Sequence, residues 1–314
     1  MKGGMKKRLI IFISVVLAVI IFLGGMVILF PDETCRLAIA VERKRAGLES
    51  YSVSADNIDY KYLKGGQGPP LLLVHGFGAD KDNWTLTARY LTPYFTVIVP
   101  DLPGFGESSK IFDLDYTVTT QAGRLNDFVT ALGLKDIHIG GNSMGGSIAA
   151  AYVFQYKENV KSMWLIAPGG VRSAKESYFQ EQKRLGNNLM IITDIESYST
   201  MLENSFASPP VLLSLVKKVF AEEAIRNLHL NKKIIEDIFS ETIPLEQVLA
   251  GMKLPSLIMW GDKDRILDIS GAEILCKSLV NSSCVIINNA GHVPMVEKPE
   301  KTAEEFLRFS GVVK

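Results

Sequence analysis

The sequence predicts an α/β fold: a mostly parallel sheet flanked by helices, with a helical lid inserted after the sixth strand and an N-terminal transmembrane helix. Three observations predict it. Short apolar runs alternate with helical stretches, the pattern of a parallel sheet covered on both faces. Between Gly170 and Gly251 that rhythm stops, and Met- and Leu-bearing helical segments replace strands. Leu9 to Phe30 carries no charge at all.

In chain order, Leu9–Phe30 would span about 33 Å as a helix, enough for a bilayer core of about 30 Å. Lys2, Lys6, Lys7 and Arg8 precede it. A cleaved signal peptide is the rival reading. The apolar run is long for that, and no small-x-small site precedes Pro31. Residues 1–30 are therefore expected to be a single-pass anchor, and 31–56 a juxtamembrane linker. Thr34 to Gly47 reads as a helix whose basic residues meet lipid headgroups, or as a plain solvated linker.

Residues 57–170 form the first part of the core. Its strands are expected at Asn57–Leu63, Leu71–Val74, Thr96–Pro100, Ile137–Gly140 and Ser162–Ala167, with helices near Thr117–Leu132 and Ser147–Tyr156. Residues 171–251 are the lid, broken at Pro209-Pro210. Residues 252–314 complete the core with strands at Ser256–Trp260 and Cys284–Asn288 and helices near Ala272–Val280 and Lys301–Phe309.

The chemistry centres on Gly141-Asn-Ser-Met-Gly145, between a β-branched run and a small-residue helix. In a strand–turn–helix elbow the apex residue is strained and the neighbouring chain passes close, so glycines flank it. The strain presents the Ser143 hydroxyl at a helix N-terminus, where developing negative charge is favoured. Serine needs a base to become a nucleophile. The chain has four histidines. His75 directly follows the Leu71–Val74 strand. His138 lies within the strand leading to Ser143 and reads as packed. His229 sits in a charged helical region and reads as a surface residue. His292 follows an apolar strand and a Gly-containing loop, and is the best candidate base. Between Ser143 and His292, the loop after Ser256–Trp260 offers Asp262 and Asp264, with Asp268 a distant third. The W-G-x-x-D spacing selects Asp264. Its task would be to hold the imidazole tautomer and stabilise the imidazolium. An oxyanion hole would use the N–H of Met144, the residue after the nucleophile, and that of Phe77 in His75-Gly-Phe-Gly78. The rival reading of that tetrapeptide is an ordinary glycine turn.

These residues resemble the α/β-hydrolase family from Ile58 to Phe309. Asp101-Leu-Pro-Gly-Phe-Gly-Glu-Ser108 is similar to its D-x-P-G-x-G-x-S turn, and Gly291-His-Val-Pro-Met-Val-Glu-Lys-Pro299 to its G-H-x-P-x-x-E-x-P ending. The nucleophile, acid, histidine order also fits. The chain further resembles a membrane-anchored monoacylglycerol lipase branch and related bacterial lipases. That likeness rests on His75–Trp84, Trp260–Ala272 and the N-terminal apolar segment. It implies hydrolysis of acylglycerol esters.

Composition narrows the classes. The formal net charge is zero, which removes an electrostatic case for nucleic acid. Cys35, Cys276 and Cys284 show no metal spacing, so no metal is expected, and Cys276 and Cys284 are expected to be free thiols. Nothing sets an oligomeric state. The expectation is a membrane-anchored serine esterase or lipase without a cofactor, acting on a lipid or other ester and held at a bilayer. Basic residues follow the apolar segment as well as precede it, but Asp32 and Glu33 flank its far side; in a bacterium this favours a catalytic domain outside the cytoplasm. Phe206 and Leu212 are candidate substrate contacts, alongside Met201, Leu202, Val211, Leu215 and Phe220 as further acyl-pocket residues or simply the lid's own core. The first alternative is a carbon–carbon bond hydrolase of ring-fission diketone acids, with Arg172 binding the carboxylate. The second is a non-catalytic hydrolase-fold binding protein, against which the complete triad argues.

Overall fold

A computed structural model describes residues 24–241 and 244–313. Leu9 to Leu23, most of the expected anchor, lie outside the described residues. Among the described residues, no helix is long and apolar enough to cross a membrane.

Eight strands form one sheet: β1 (Leu48–Ala55), β2 (Ile58–Gly65), β3 (Pro70–Val74), β4 (Thr96–Pro100), β5 (Ile137–Asn142), β6 (Val160–Ile166), β7 (Ser256–Gly261) and β8 (Ser282–Ile287). Their spatial order is β1-β2-β4-β3-β5-β6-β7-β8. β1, β2 and β4 pair antiparallel, and every pairing from β4 onward is parallel. β1 corrects the expected linker, since it falls within residues 31–56. It escaped the pattern because its interior positions are mostly exposed, as suits an edge strand. It turns into β2 through Asp56 and Asn57, both at positive φ, as a two-residue hairpin requires.

β3 shows how the sheet is buried on both sides. Leu72 and Val74 join one apolar cluster while Leu71 and Leu73 join the other, because successive side chains point to opposite faces. Helices Val118–Ala131, Met144–Tyr156 and Ser270–Ser278 cover the first face. Helices Thr85–Leu91 and Pro299–Phe309 cover the second. The elements that carry chemistry therefore rise from a rigid floor.

The segment between β6 and β7 is helical: Tyr178–Arg184, Ile195–Ser205, Ser214–Arg226, Leu228–Ser240 and Leu245–Val248. Upstream of the sheet, Pro31–Arg45 is a helix, with Pro31 in its first turn, Asp32 and Glu33 beside it, and Arg43–Arg45 in the last turn. Each charge suits the helix dipole. Arg43 departs from the headgroup expectation. It turns inward, donating from Nε to Asp82 Oδ1 at 2.7 Å and from Nη2 to Asp82 Oδ2 at 2.5 Å. The cysteines also depart from expectation: Cys276 and Cys284 form a disulfide, their Cα atoms 6.3 Å apart. The helix Ser270–Ser278 packs on β8, which brings the two within bridging range.

Candidate active site

Ser143 stands where β5 ends and the helix Met144–Tyr156 begins, with φ 55° and ψ −119°. An L-residue is strained there. The flanking glycines are explained by contact. A Cβ at Gly141 would lie 2.2 Å from the Gly145 carbonyl oxygen, and one at Gly145 would lie 2.4 Å from the carbonyl oxygens of both Val74 and His75. The strain is held by backbone hydrogen bonds, Ser143 N donating to Ile166 O and Gly169 N to Ser143 O.

His292 follows β8 and faces the same cavity as Ser143. Its Nδ1 lies 2.8 Å from Asp264 Oδ2. The Asp264 side chain is fully buried, and its other oxygen accepts the N–H groups of Ile266 at 2.8 Å and Leu267 at 3.0 Å. That arrangement orients the imidazole and leaves Nε2 as the nitrogen free for a proton. Nε2 is buried without a hydrogen-bond partner, and no bond to Ser143 Oγ is formed in this resting geometry. Such bonds often tighten only with substrate. Asp262 serves the loop instead, accepting from Ala290 N at 3.3 Å. Asp268 accepts from Ser270 N at the start of a helix.

The loop after β3 approaches from the opposite side. His75 is fully buried; Nδ1 lies 2.8 Å from Gly76 O and Nε2 accepts the Leu102 N–H at 3.0 Å. Burial lowers its pKa and favours this neutral tautomer. Phe77, next in line, lines the cavity. Met144 is the first residue of its helix, so its N–H has no acceptor within the helix. Below the loop, Lys81 Nζ donates to Asp101 at 2.7 Å and Glu107 at 2.6 Å. Asp101 also accepts the Lys81 and Glu107 N–H groups, which pins the 3₁₀ turn Lys81–Trp84 to the Asp101–Ser108 turn.

Two positioning residues carried no separate signal in sequence. Asn142 Nδ2 donates to the carbonyl of His292 at 3.0 Å and to that of Ile166 at 3.1 Å. Glu297 accepts from Gly291 N at 2.6 Å with one oxygen, and from Ala207 and Ser208 with the other. It joins the histidine loop to the helical insertion. The one available hint is that both lie inside motifs already noted, G-N-S-M-G and G-H-x-P-x-x-E-x-P.

The cavity measures about 330 Å³. Met190, Ile192, Tyr198, Met201, Leu202 and Phe206 give it an apolar wall beside Ser143. Phe220 also lines it. Leu212 does not, and neither do Val211 and Leu215; the first two lie on the stretch that leads into Ser214–Arg226 and Leu215 in its first turn, with Val211 and Leu213 facing outward. Leu212 is thereby corrected as a substrate contact: it lies in the irregular stretch before the helix Ser214–Arg226, away from the cavity lining. His138 packs against Phe95 and Phe306 and bonds Ser162 Oγ at 2.7 Å, while His229 stacks on Phe112.

A strand–strained serine–helix elbow, a carboxylate-oriented histidine and a loop after the third strand meet at one cavity. The family described as alpha/beta hydrolase fold matches residues 69–299, and the chain belongs to that family. It is 39% identical over 286 residues to Lipase 1 of Psychrobacter immobilis, covering 90% of each chain. It is 29% identical over 304 residues to Monoacylglycerol lipase ABHD6 of Homo sapiens, covering 90% of this chain and 88% of that one. Among solved structures it is similar to a membrane phospholipase A described as a bacterial virulence factor, with TM-score 0.88, 41% identity and coverage of 97% and 98%. The chain is an ester-hydrolysing member of the family.

Proposed function

We propose that the protein is a membrane-anchored lipase that hydrolyses acylglycerol esters, monoacylglycerols foremost, through Ser143, His292 and Asp264. The observation that carries this is the Asp264–His292 hydrogen bond facing the same cavity as the strained Ser143. In the reaction, Ser143 Oγ attacks the ester carbonyl while His292 Nε2 takes its proton. The Asp264 carboxylate stabilises the imidazolium, and the N–H groups of Phe77 and Met144 hold the oxyanion. His292 then protonates the leaving glycerol oxygen. A water, deprotonated by His292, attacks the acyl-enzyme, and Ser143 leaves with its proton restored.

The apolar wall from Met190 to Phe206 supports a fatty acyl chain as the group transferred. Each buried methylene contributes about 0.8 kcal/mol, so preference should rise with chain length until the cavity is filled. The uncharged Leu9–Phe30 segment supports the anchor, and the name of the membrane phospholipase A neighbour is in keeping with it. The Cys276–Cys284 disulfide supports a folded domain on the oxidising side, outside the cytoplasm if the source is a bacterium. The helical insertion is read as the lid. Arg172, the residue a diketone acid would need, is exposed and does not line the cavity.

The test is a hydrolysis panel of mono-, di- and triacylglycerols, phospholipids and a ring-fission diketone, with wild type and Ser143→Ala. Monoacylglycerol turnover that disappears in Ser143→Ala, with loss of fluorophosphonate labelling, is expected. The variant should lose on the order of 10⁶-fold in rate, because triad members act as a unit. Diketone cleavage without ester turnover would overturn the reading.

A further inference from the structure

One helix of the insertion touches both the apolar wall and the loop that carries His292. In Ile195–Ser205, the residues Tyr198, Met201, Leu202 and Ser205 all line the cavity. Their spacing of three and four places them on one helix face. Asp194 caps the start of that helix, accepting the Ser197 N–H at 2.7 Å, which keeps its first turn closed. Its far end rests on the histidine loop. His292 N donates to Ser205 O at 2.8 Å. A Cβ at Gly291 would lie 2.5 Å from Ser205 O and 2.8 Å from Ala207 N, so the two segments meet backbone to backbone. Glu297 clamps the junction. Its Oε1 accepts Gly291 N at 2.6 Å, and its Oε2 accepts Ala207 N at 2.9 Å and Ser208 N at 3.2 Å.

The His292 ring is held from one side. Nδ1 meets Asp264 Oδ2, while Nε2 is buried with no hydrogen-bond partner. We propose, on the basis of the lipase reading above, that Glu297 is a positioning residue that couples occupancy of the acyl wall to the placement of His292. An acyl chain long enough to pack on Met201 and Leu202 sets the helix Ile195–Ser205. The junction clamped by Glu297 carries that setting to the imidazole and brings Nε2 toward Ser143 Oγ. A short acyl group that does not reach those side chains leaves His292 in its resting geometry. Part of the acyl binding energy is thereby used to place the proton acceptor, so chain length acts on the acylation rate and not on affinity alone. Small shifts suffice, because misplacing a reacting group by about 1 Å costs on the order of a hundredfold in rate.

The test compares p-nitrophenyl butyrate with p-nitrophenyl decanoate, which share a leaving group and differ only in acyl length. The maximal acylation rate is read from the p-nitrophenolate burst of the purified full-length chain in neutral detergent. The expected decanoate-to-butyrate ratio of that rate is about tenfold. Glu297→Gln keeps the size of the side chain and one acceptor oxygen, but turns an NH2 group toward one of the two segments and opens the clamp. It should bring the ratio toward one. The concentrations giving half the maximal burst rate should keep their wild-type ratio, since the wall itself is intact. Ala207→Pro removes an N–H on the insertion side alone and should act in the same direction; Phe206 already has the extended ψ of 142° that a residue before proline adopts. A merely structural Glu297 would slow both esters alike. A ratio that neither variant moves, or a wild-type ratio near one, overturns the proposal. Absence of any turnover on both esters by the wild type would instead bring down the lipase reading, and this inference with it.

Discussion

The Asn142 side chain donates to the backbone carbonyl of His292 across 3.0 Å, so the residue before Ser143 also steadies the loop that carries His292. The second bond, to Ile166 O, anchors the same amide to β6. A position 150 residues earlier in the chain thus sets where the imidazole sits. Asn142→Ala should leave a buried carbonyl unpartnered and loosen that loop. The cost expected is about 1–3 kcal/mol. Turnover number should fall about tenfold with KM nearly unchanged, as steady-state kinetics on a short-chain ester would record. A change in KM alone would place Asn142 in substrate binding instead.

Asp264 and Asp262 are separated by what each touches. Asp264→Asn should reduce kcat by about 10⁴-fold, because an amide favours the wrong imidazole tautomer. Asp262→Asn should retain most activity, since that carboxylate meets Ala290 N and not the histidine. Kinetics of the two variants side by side decide this, and the opposite ranking would move the acid role to Asp262.

Asp80 predicts a pH signature in stability. Burial, aided by the charges of Asp82 and Asp101 and opposed by Lys81, pushes its pKa up to about 7 from the ordinary 3.8. Between those values the unfolded chain has lost the proton and the folded protein keeps it. Folding therefore takes up a proton, and stability falls as pH rises through that window. Asp80→Asn keeps an acceptor for Asp82 N but carries no charge. Melting temperatures of variant and wild type should coincide near pH 4 and diverge toward pH 8, with the variant the more stable. Parallel curves would show that Asp80 titrates normally.

Phe206 and Leu212 should part company in an acyl-length series. Phe206→Trp adds bulk within the cavity and should shift the optimum to shorter chains. Leu212→Phe lies off the cavity and should leave the optimum where it is. Relative kcat/KM over matched monoacylglycerols reads this directly. A shift in the Leu212 variant would mean that the Val211–Leu213 stretch folds inward over substrate.

The sequence by itself determined what depends on local sterics and on periodicity. Gly141 and Gly145 announce the elbow because no side chain fits against the carbonyls they approach. The apolar runs Leu71–Val74 and Ser256–Trp260 announce central strands because both faces of each are buried. Asp264 is legible as a candidate because it stands just past such a run, and His292 because it follows a β-branched strand and a glycine-bearing loop, although that strand, β8, is a mostly exposed edge. Tertiary structure alone decided what rests on contacts between distant segments. β1 is an edge strand whose interior faces water, so its sequence lacks the apolar alternation that marks a buried one. Leu212 is apolar like Phe206, yet only Phe206 lines the cavity, a difference that hydropathy does not encode. Cys276 and Cys284 bridge because a helix end lies against β8. The Arg43–Asp82, Lys81–Asp101 and Glu297–Ala207 links join residues whose partners are chosen by the fold, and a charge in sequence does not name its partner.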